Sequence, residues 1–203
     1  ASPGCDVDNF LLADEELTLV LWERRLRASG ATRLRIVARG DAPCDVLRGL
    51  DAALPGLEAL RVDATAGGAL HLAPLLDMSK LEDLEVLGRA WVGPLPPGLR
   101  RLAVPAPADA CGLEAVEALE RLEHLGVAGV RAAILDLSKL ERLRTLDVTD
   151  ATLSDVQEAG ATALVAPPGL ERVALFGAAA LSGGLRAELL GRWSRRTSAH
   201  VDL

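Results

Sequence analysis

The sequence predicts an α/β solenoid, an open stack of short strand-bearing coils that return through helices and loops. Three observations predict it. One phrase, Leu-x-x-Leu/Val-x-Val/Leu, recurs at residues 57–62, 99–104, 122–127, 143–148 and 170–175. The segments between the phrases are rich in helix formers. Half of the 203 residues are hydrophobic while aromatics make up only 2%, so the core consists of Leu, Val and Ala in thin, regular layers. A single repeat cannot bury its apolar face alone, so the copies stack, and an open stack presents a surface.

The elements follow in chain order. Residues 14–28 read as a helix of about four turns, with acid at its start, Arg at its finish and Gly30 at its exit. Its Leu17, Leu21 and Trp22 are placed to cover the edge of the first strand, as a terminal repeat requires. Residues 31–38 are a degraded first copy that keeps Leu34 and Ile36, 57 − 31 = 26 residues before Leu57. The later phrases start 122 − 99 = 23, 143 − 122 = 21 and 170 − 143 = 27 residues apart. The gap of 99 − 57 = 42 holds one more copy, and Leu81-Glu-Asp-Leu84-Glu-Val86 divides it as 24 and 18. A rival register starting at Leu84 leaves 99 − 84 = 15 residues, short for a full coil, so the first is preferred.

Within each phrase the alternation is that of a strand. Leu60 and Val62, or Leu146 and Val148, face the core, while Arg61 and Asp147 face the other way. Residues 45–54, 112–120, 132–137 and 154–159 read as helical return segments, the last opened by Ser154-Asp155. Residues 91–98 contain three Pro and return as a tight extended loop. Residues 184–196 place Leu185, Leu189, Leu190 and Trp193 on one face as a second helical cap. Residues 197–203 are either an extra strand or a tail.

These phrases resemble the leucine-rich repeat family, whose pattern is Leu-x-x-Leu-x-Leu-x-x-Asn with a period of about 20–29 residues. The resemblance implies a curved horseshoe, with a parallel β-sheet on the concave face and helices and loops on the convex face. It divides the chain into an N-terminal capping-helix region at 1–30, about six to seven repeats at 31–183, and a C-terminal capping helix and tail at 184–203. One departure stands out. Where the family places Asn, this chain has Thr65, Arg89, Pro107, Val130, Ala151 and Ala178, and its one Asn is Asn9. Buried loop backbone still needs partners, so helices on the return side are the expected substitute.

Composition narrows the function. The net charge of −7 argues against a nucleic-acid grip, and no apolar run approaches the length of a membrane span. Cys5, Cys44 and Cys111 form no metal or disulfide spacing, which points to reduced thiols and a cytoplasmic, intracellular setting. The Ala-Ser-Pro-Gly opening, without Met or a targeting signature, reads as that of a fragment with a further domain beyond either end.

No nucleotide-binding glycine motif, zinc motif or nucleophile elbow occurs, so no cofactor, metal or small-molecule substrate is expected. His71 reads as a surface or boundary residue. The Arg192, Arg195 and Arg196 cluster reads as a solvated helix face. His124 faces the concave side beside Thr145, Asp147 and Thr149, with Arg172 one repeat on. That set suits general-base chemistry on paper, but polar side chains on such a face are ordinary, and no catalytic site is assigned. The floor is mostly small (Ala59, Ala103, Ala128, Ala174), studded with Arg61, Asp63, Arg101, Arg172 and Phe176. Phe176 and Trp91 each read as core residues or as exposed anchors for a partner.

The leading functional reading is therefore a non-enzymatic protein–protein interaction module, which the resemblance also implies. The alternative is the substrate-recognition part of a ubiquitin-ligase-type protein. Leu95-Pro-Pro-Gly-Leu-Arg-Arg-Leu-Ala-Val104 resembles the Leu-Pro repeats of bacterial effector ligases, and a capping helix before the repeats is similar to F-box receptors. A structural subunit of a large assembly is a third reading. A doubly wound α/β enzyme is the fold-level rival, disfavoured by the recurrence of one phrase without a phosphate-binding turn.

Overall fold

The computed structural model describes residues 10–12, 30–38, 47–64, 69–88, 90–105, 111–129, 131–132, 135–149, 152–153, 164–165, 167, 169–176 and 200–202. The expected helices at 14–28, 154–159 and 184–196, the arginine cluster near 192–196 and the six positions that replace the family's Asn lie outside these residues.

Alternating apolar and polar residues produce a strand in each coil, and these strands form one sheet. They are β1 (Phe10–Leu12), β2 (Arg33–Ala38), β3 (Ala59–Ala64), β4 (Asp83–Gly88), β5 (Arg101–Pro105), β6 (His124–Ala128), β7 (Thr145–Thr149), β8 (Arg172–Phe176) and β9 (His200–Asp202). The nine-stranded sheet follows chain order, and every pairing is parallel. The chain is thus a parallel β-solenoid. Register is set by the core: Leu34, Leu60, Leu84, Leu102, Leu125, Leu146 and Val173 stand opposite one another in succession. Leu84 opposite Leu60 selects the copy starting at Leu81 over its rival. Residues 200–202 are a strand, and the edge of β2 assigned to a helix is hydrogen-bonded by β1.

A short turn launches each of β3 to β8. The N–H of Leu57, Leu81, Leu99, Leu122, Leu143 and Leu170 donates to the carbonyl three residues earlier, at 2.9–3.4 Å. Both ends of each turn are buried, by Leu, Met or Pro. The residue immediately before each of β2 to β7 supplies a carbonyl that accepts two N–H groups from the next coil. Thr32 O receives Glu58 and Ala59, and Glu58 O receives Glu82 and Asp83; Glu82, Arg100, Glu123 and Arg144 repeat the arrangement, all at 2.7–3.1 Å. Each coil's backbone is thereby tied to the next, as buried peptide groups require.

The return side corrects one expectation. Residues 132–137 do not form a helix; Arg131–Ala132 and Leu135–Asp136 are short strands paired with Thr152–Leu153 and Leu164–Val165. Leu70–His71 pairs with Trp91–Val92 in the same way. The described residues of this return are extended and bond to the neighbouring coil, which leaves them unavailable to a helix. Among the described residues the α-helices are Leu50–Ala53 and Cys111–Glu117, so the helical return layer is only partial. Coil-to-coil backbone bonds do what helices were expected to do: Leu70 N to Ala90 O at 3.0 Å, Leu72 N to Val92 O at 3.0 Å and Gly129 N to Thr149 O at 2.7 Å.

The buried set is almost wholly Leu and Val, with no buried polar or charged residue among the described ones. Trp91 is a core residue, 0% exposed. Its indole Nε1 donates to Pro105 O at 2.9 Å, which ties the proline loop to β5. His71 is exposed, as its position implied.

The Pro-Gly-Leu turns stack on the coil before them, and this can be tested. A Cβ at Gly169 would lie 3.0 Å from Glu141 O, whereas one at Gly56 meets nothing within 4 Å. Gly169→Ala is expected to lower stability by about 1–3 kcal/mol through crowding of backbone that cannot yield. Gly56→Ala is expected to be neutral or to stabilise by up to about 1 kcal/mol. Urea midpoints of the two variants check the contrast; equal destabilisation would sink it.

Candidate functional site: the open face of the sheet

The side chains of the strands that do not face the core form three rows across the sheet. The strand backbones pair with one another from coil to coil, so what this face offers to solvent is mainly its side chains. The first row, by register, runs Arg33, Ala59, Asp83, Arg101, His124, Thr145, Arg172. The second runs Arg35, Arg61, Glu85, Ala103, Gly126, Asp147, Ala174. In the third, Val37, Asp63 and Leu87 lie on β2 to β4, and Pro105, Ala128, Thr149 and Phe176 on β5 to β8.

The sequence-derived candidates fall into two groups. Arg61 donates to Glu85 at 3.0 Å, and Asp63 accepts from Arg35 at 3.2 Å. From the next strand Arg101 lies 3.9 Å from Asp83 of β4, and between β6 and β7 His124 Nε2 lies 3.4 Å from Asp147 Oδ2. Thr145 stands beside both His124 and Arg172, and Thr149 beside Ala128 and Phe176. Arg172 is exposed, while Ala174 next to it is 0% exposed and is no part of an accessible floor. Phe176 holds its place in the third row, and its side chain lies outside the description. The accessible floor is therefore Ala59, Ala103, Gly126 and Ala128.

Sequence reasoning missed the partners Arg35, Asp83 and Glu85. They occupy the same repeat phase as Arg61, Arg101 and Asp147, so the phase of the weaker copies was the signal. It also missed a second charge ladder. The residue after the first Leu of each phrase is always charged: Glu58, Glu82, Arg100, Glu123, Arg144 and Glu171. Arg100 pairs with Glu123 at 2.7 Å and with Glu82 at 3.8 Å, and Arg144 pairs with Glu171. The hydrogen bond to Glu123, then the charges of Glu123 and Glu82, raise the pKa of Arg100 above its ordinary value. A shallow hollow of about 320 Å³ beside this ladder is lined by Glu123, Glu141, Arg142, Arg144 and Gly169.

Among the described residues no group of three or more His, Cys, Asp and Glu is placed to hold a metal ion. No described helix is long and apolar enough to cross a membrane. No protein-family model matches the chain, and no curated protein matches it either.

Partial burial holds the His124 imidazole below its ordinary value; Asp147 pulls it up, Arg101 pushes it down, Asp83 pulls it up and Arg172 pushes it down. The charged form is thus disfavoured in the fold, and the unfolded chain takes up the proton first. This group's contribution to stability is whole above the ordinary value and is lost as pH falls from there through the lowered folded value. An NMR titration of the imidazole is expected to give a midpoint below that of a model histidine peptide. Asp147→Asn is expected to lower it further and Arg101→Gln to raise it; shifts of opposite sign would refute this account of the surroundings.

Proposed function

We propose that the chain is a non-enzymatic recognition module of the leucine-rich repeat type, which binds a protein partner across the open face. One observation carries the reading. The core positions repeat Leu and Val from coil to coil, while the open-face positions differ in every coil: Ala59, Arg61 and Asp63 on β3; Asp83, Glu85 and Leu87 on β4; His124, Gly126 and Ala128 on β6; Thr145, Asp147 and Thr149 on β7. Packing explains the uniform rows. It does not explain the individual ones, and a composed surface spread over adjacent strands fits a macromolecular partner.

The leucine-rich repeat assignment draws support from the phrase, its period and the short strand it forms in each coil, although the return side is more extended than the family pattern implies. Charged groups already paired within the face suit a protein contact, since their desolvation is partly offset in the free chain. An intracellular setting is the one that three widely spaced cysteines favour.

The reading is tested by affinity capture from native lysate. The chain is compared with a variant carrying Arg61→Glu, His124→Ala, Asp147→Lys and Arg172→Glu, whose fold is checked by circular dichroism. A partner captured by the chain is expected to be lost by the folded variant. Retention of that partner by the variant would move recognition off the open face.

A further inference from the structure

Three carboxylates of the open face have an arginine partner. Among the described residues Asp63 has Arg35 at 3.2 Å, Glu85 has Arg61 at 3.0 Å and Asp83 has Arg101 at 3.9 Å. Asp147 has only the His124 imidazole, at 3.4 Å. An imidazole is mostly neutral at pH 7.5, since its ordinary value is about 6.5. Among the residues whose side chains are described, Asp147 is therefore the open-face carboxylate without an arginine or lysine partner.

The surroundings leave room for one. Asp147 stands directly opposite Gly126, which has no side chain, and the next residue in that row is Ala103. On that flank the His124 imidazole reaches the carboxylate, while the positions directly beside it in the row carry no long side chain, and Gly126, Ala103 and Ala128 are half-buried. The carboxylate itself is 34% exposed. The net charge of −7 also favours encounter with a positively charged partner.

We propose that Asp147 anchors a Lys or Arg side chain of the protein partner, whose neighbouring small residues lie over the floor formed by Gly126, Ala103 and Ala128. The proposal rests on the open face being the recognition surface. It makes His124 an internal competitor. The charged groups facing His124 are Asp147 of β7, Arg101 of β5, Asp83 of β4 and Arg172 of β8. When His124 takes a proton, the chain supplies its own cation to Asp147 and a like charge meets the incoming one. Binding of a basic peptide therefore weakens as pH falls.

The test uses fluorescence anisotropy at low salt with the full chain and two labelled hexapeptides, one alternating Lys and Ala, the other Glu and Ala. The Lys peptide is expected to bind at pH 7.5. Asp147→Asn is expected to weaken it roughly twofold to fivefold, the range of an exposed ion pair. Glu120→Gln removes the same charge from an exposed turn away from the face and controls for net charge. Lowering pH from 7.5 to 5.5 should weaken binding in the parent and less so in His124→Gln.

Equal affinity of the Asp147→Asn variant and the parent, a matching loss in Glu120→Gln, or tighter binding of the Glu peptide would each overturn the proposal. The lysate capture separates the two levels. A partner lost by the four-substitution variant but kept by Asp147→Asn leaves open-face recognition standing and removes the anchor. A partner kept by both removes both.

Discussion

An open stack has only the next coil to cover its peptide groups, and that constraint organises this molecule. The carbonyl immediately before each of β2 to β7 accepts two N–H groups from the following coil, from Thr32 through Arg144. This forked contact fixes where a strand begins, whatever the length of chain that precedes it. Coils of 99 − 81 = 18 and 170 − 143 = 27 residues can therefore stand in one register. The difference in length is absorbed on the return side, where helix, 3₁₀ turn and short paired strands alternate from coil to coil.

The apolar pattern serves the same end. Leu54, Leu57 and Leu60 are spaced by three through the turn, and Leu60 and Val62 by two through the strand. Leu137, Leu140, Leu143 and Leu146 repeat the turn, and Val148 the strand. The change of period marks the residue where turn becomes strand. The exposed charges beside these turns, such as Arg100 with Glu123 and Glu82, contribute little stability individually. They do differ from one coil edge to the next, so a coil slipped along its neighbour would meet the wrong partner.

Most of the sheet was legible because strand and core speak through one short phrase. The alternation of Leu60, Arg61 and Val62 assigns each residue to a face with no knowledge of the rest. The degraded copy at 31–38 was found for the same reason. The return segments were harder. Ala132, Ile134, Leu135 and Leu137 carry good helix propensity, but propensity is a weak prior against the distance the chain must cross. The site was legible row by row and not pair by pair. His124 and Asp147 were placed together because both phrases are clear. Arg35 and Glu85 were passed over because a cross-strand pair depends on register, which only the stacked backbone supplies.

The same register gives the open face its chemical character. A strand brings a side chain to the face at every second residue, and the next coil sets what stands beside it. Where Arg61 meets Glu85, each charge already faces an opposite one before any partner arrives, and covering them gains little. Where Asp147 meets Gly126, the neighbouring position offers no side chain at all, and the nearest titratable group is an imidazole whose charged form the fold disfavours. A face that is mostly self-neutralised has few places from which a charged partner can draw specificity. On this sheet the step from β6 to β7 is such a place, because Gly126 gives up reach and His124 gives up charge at the same point.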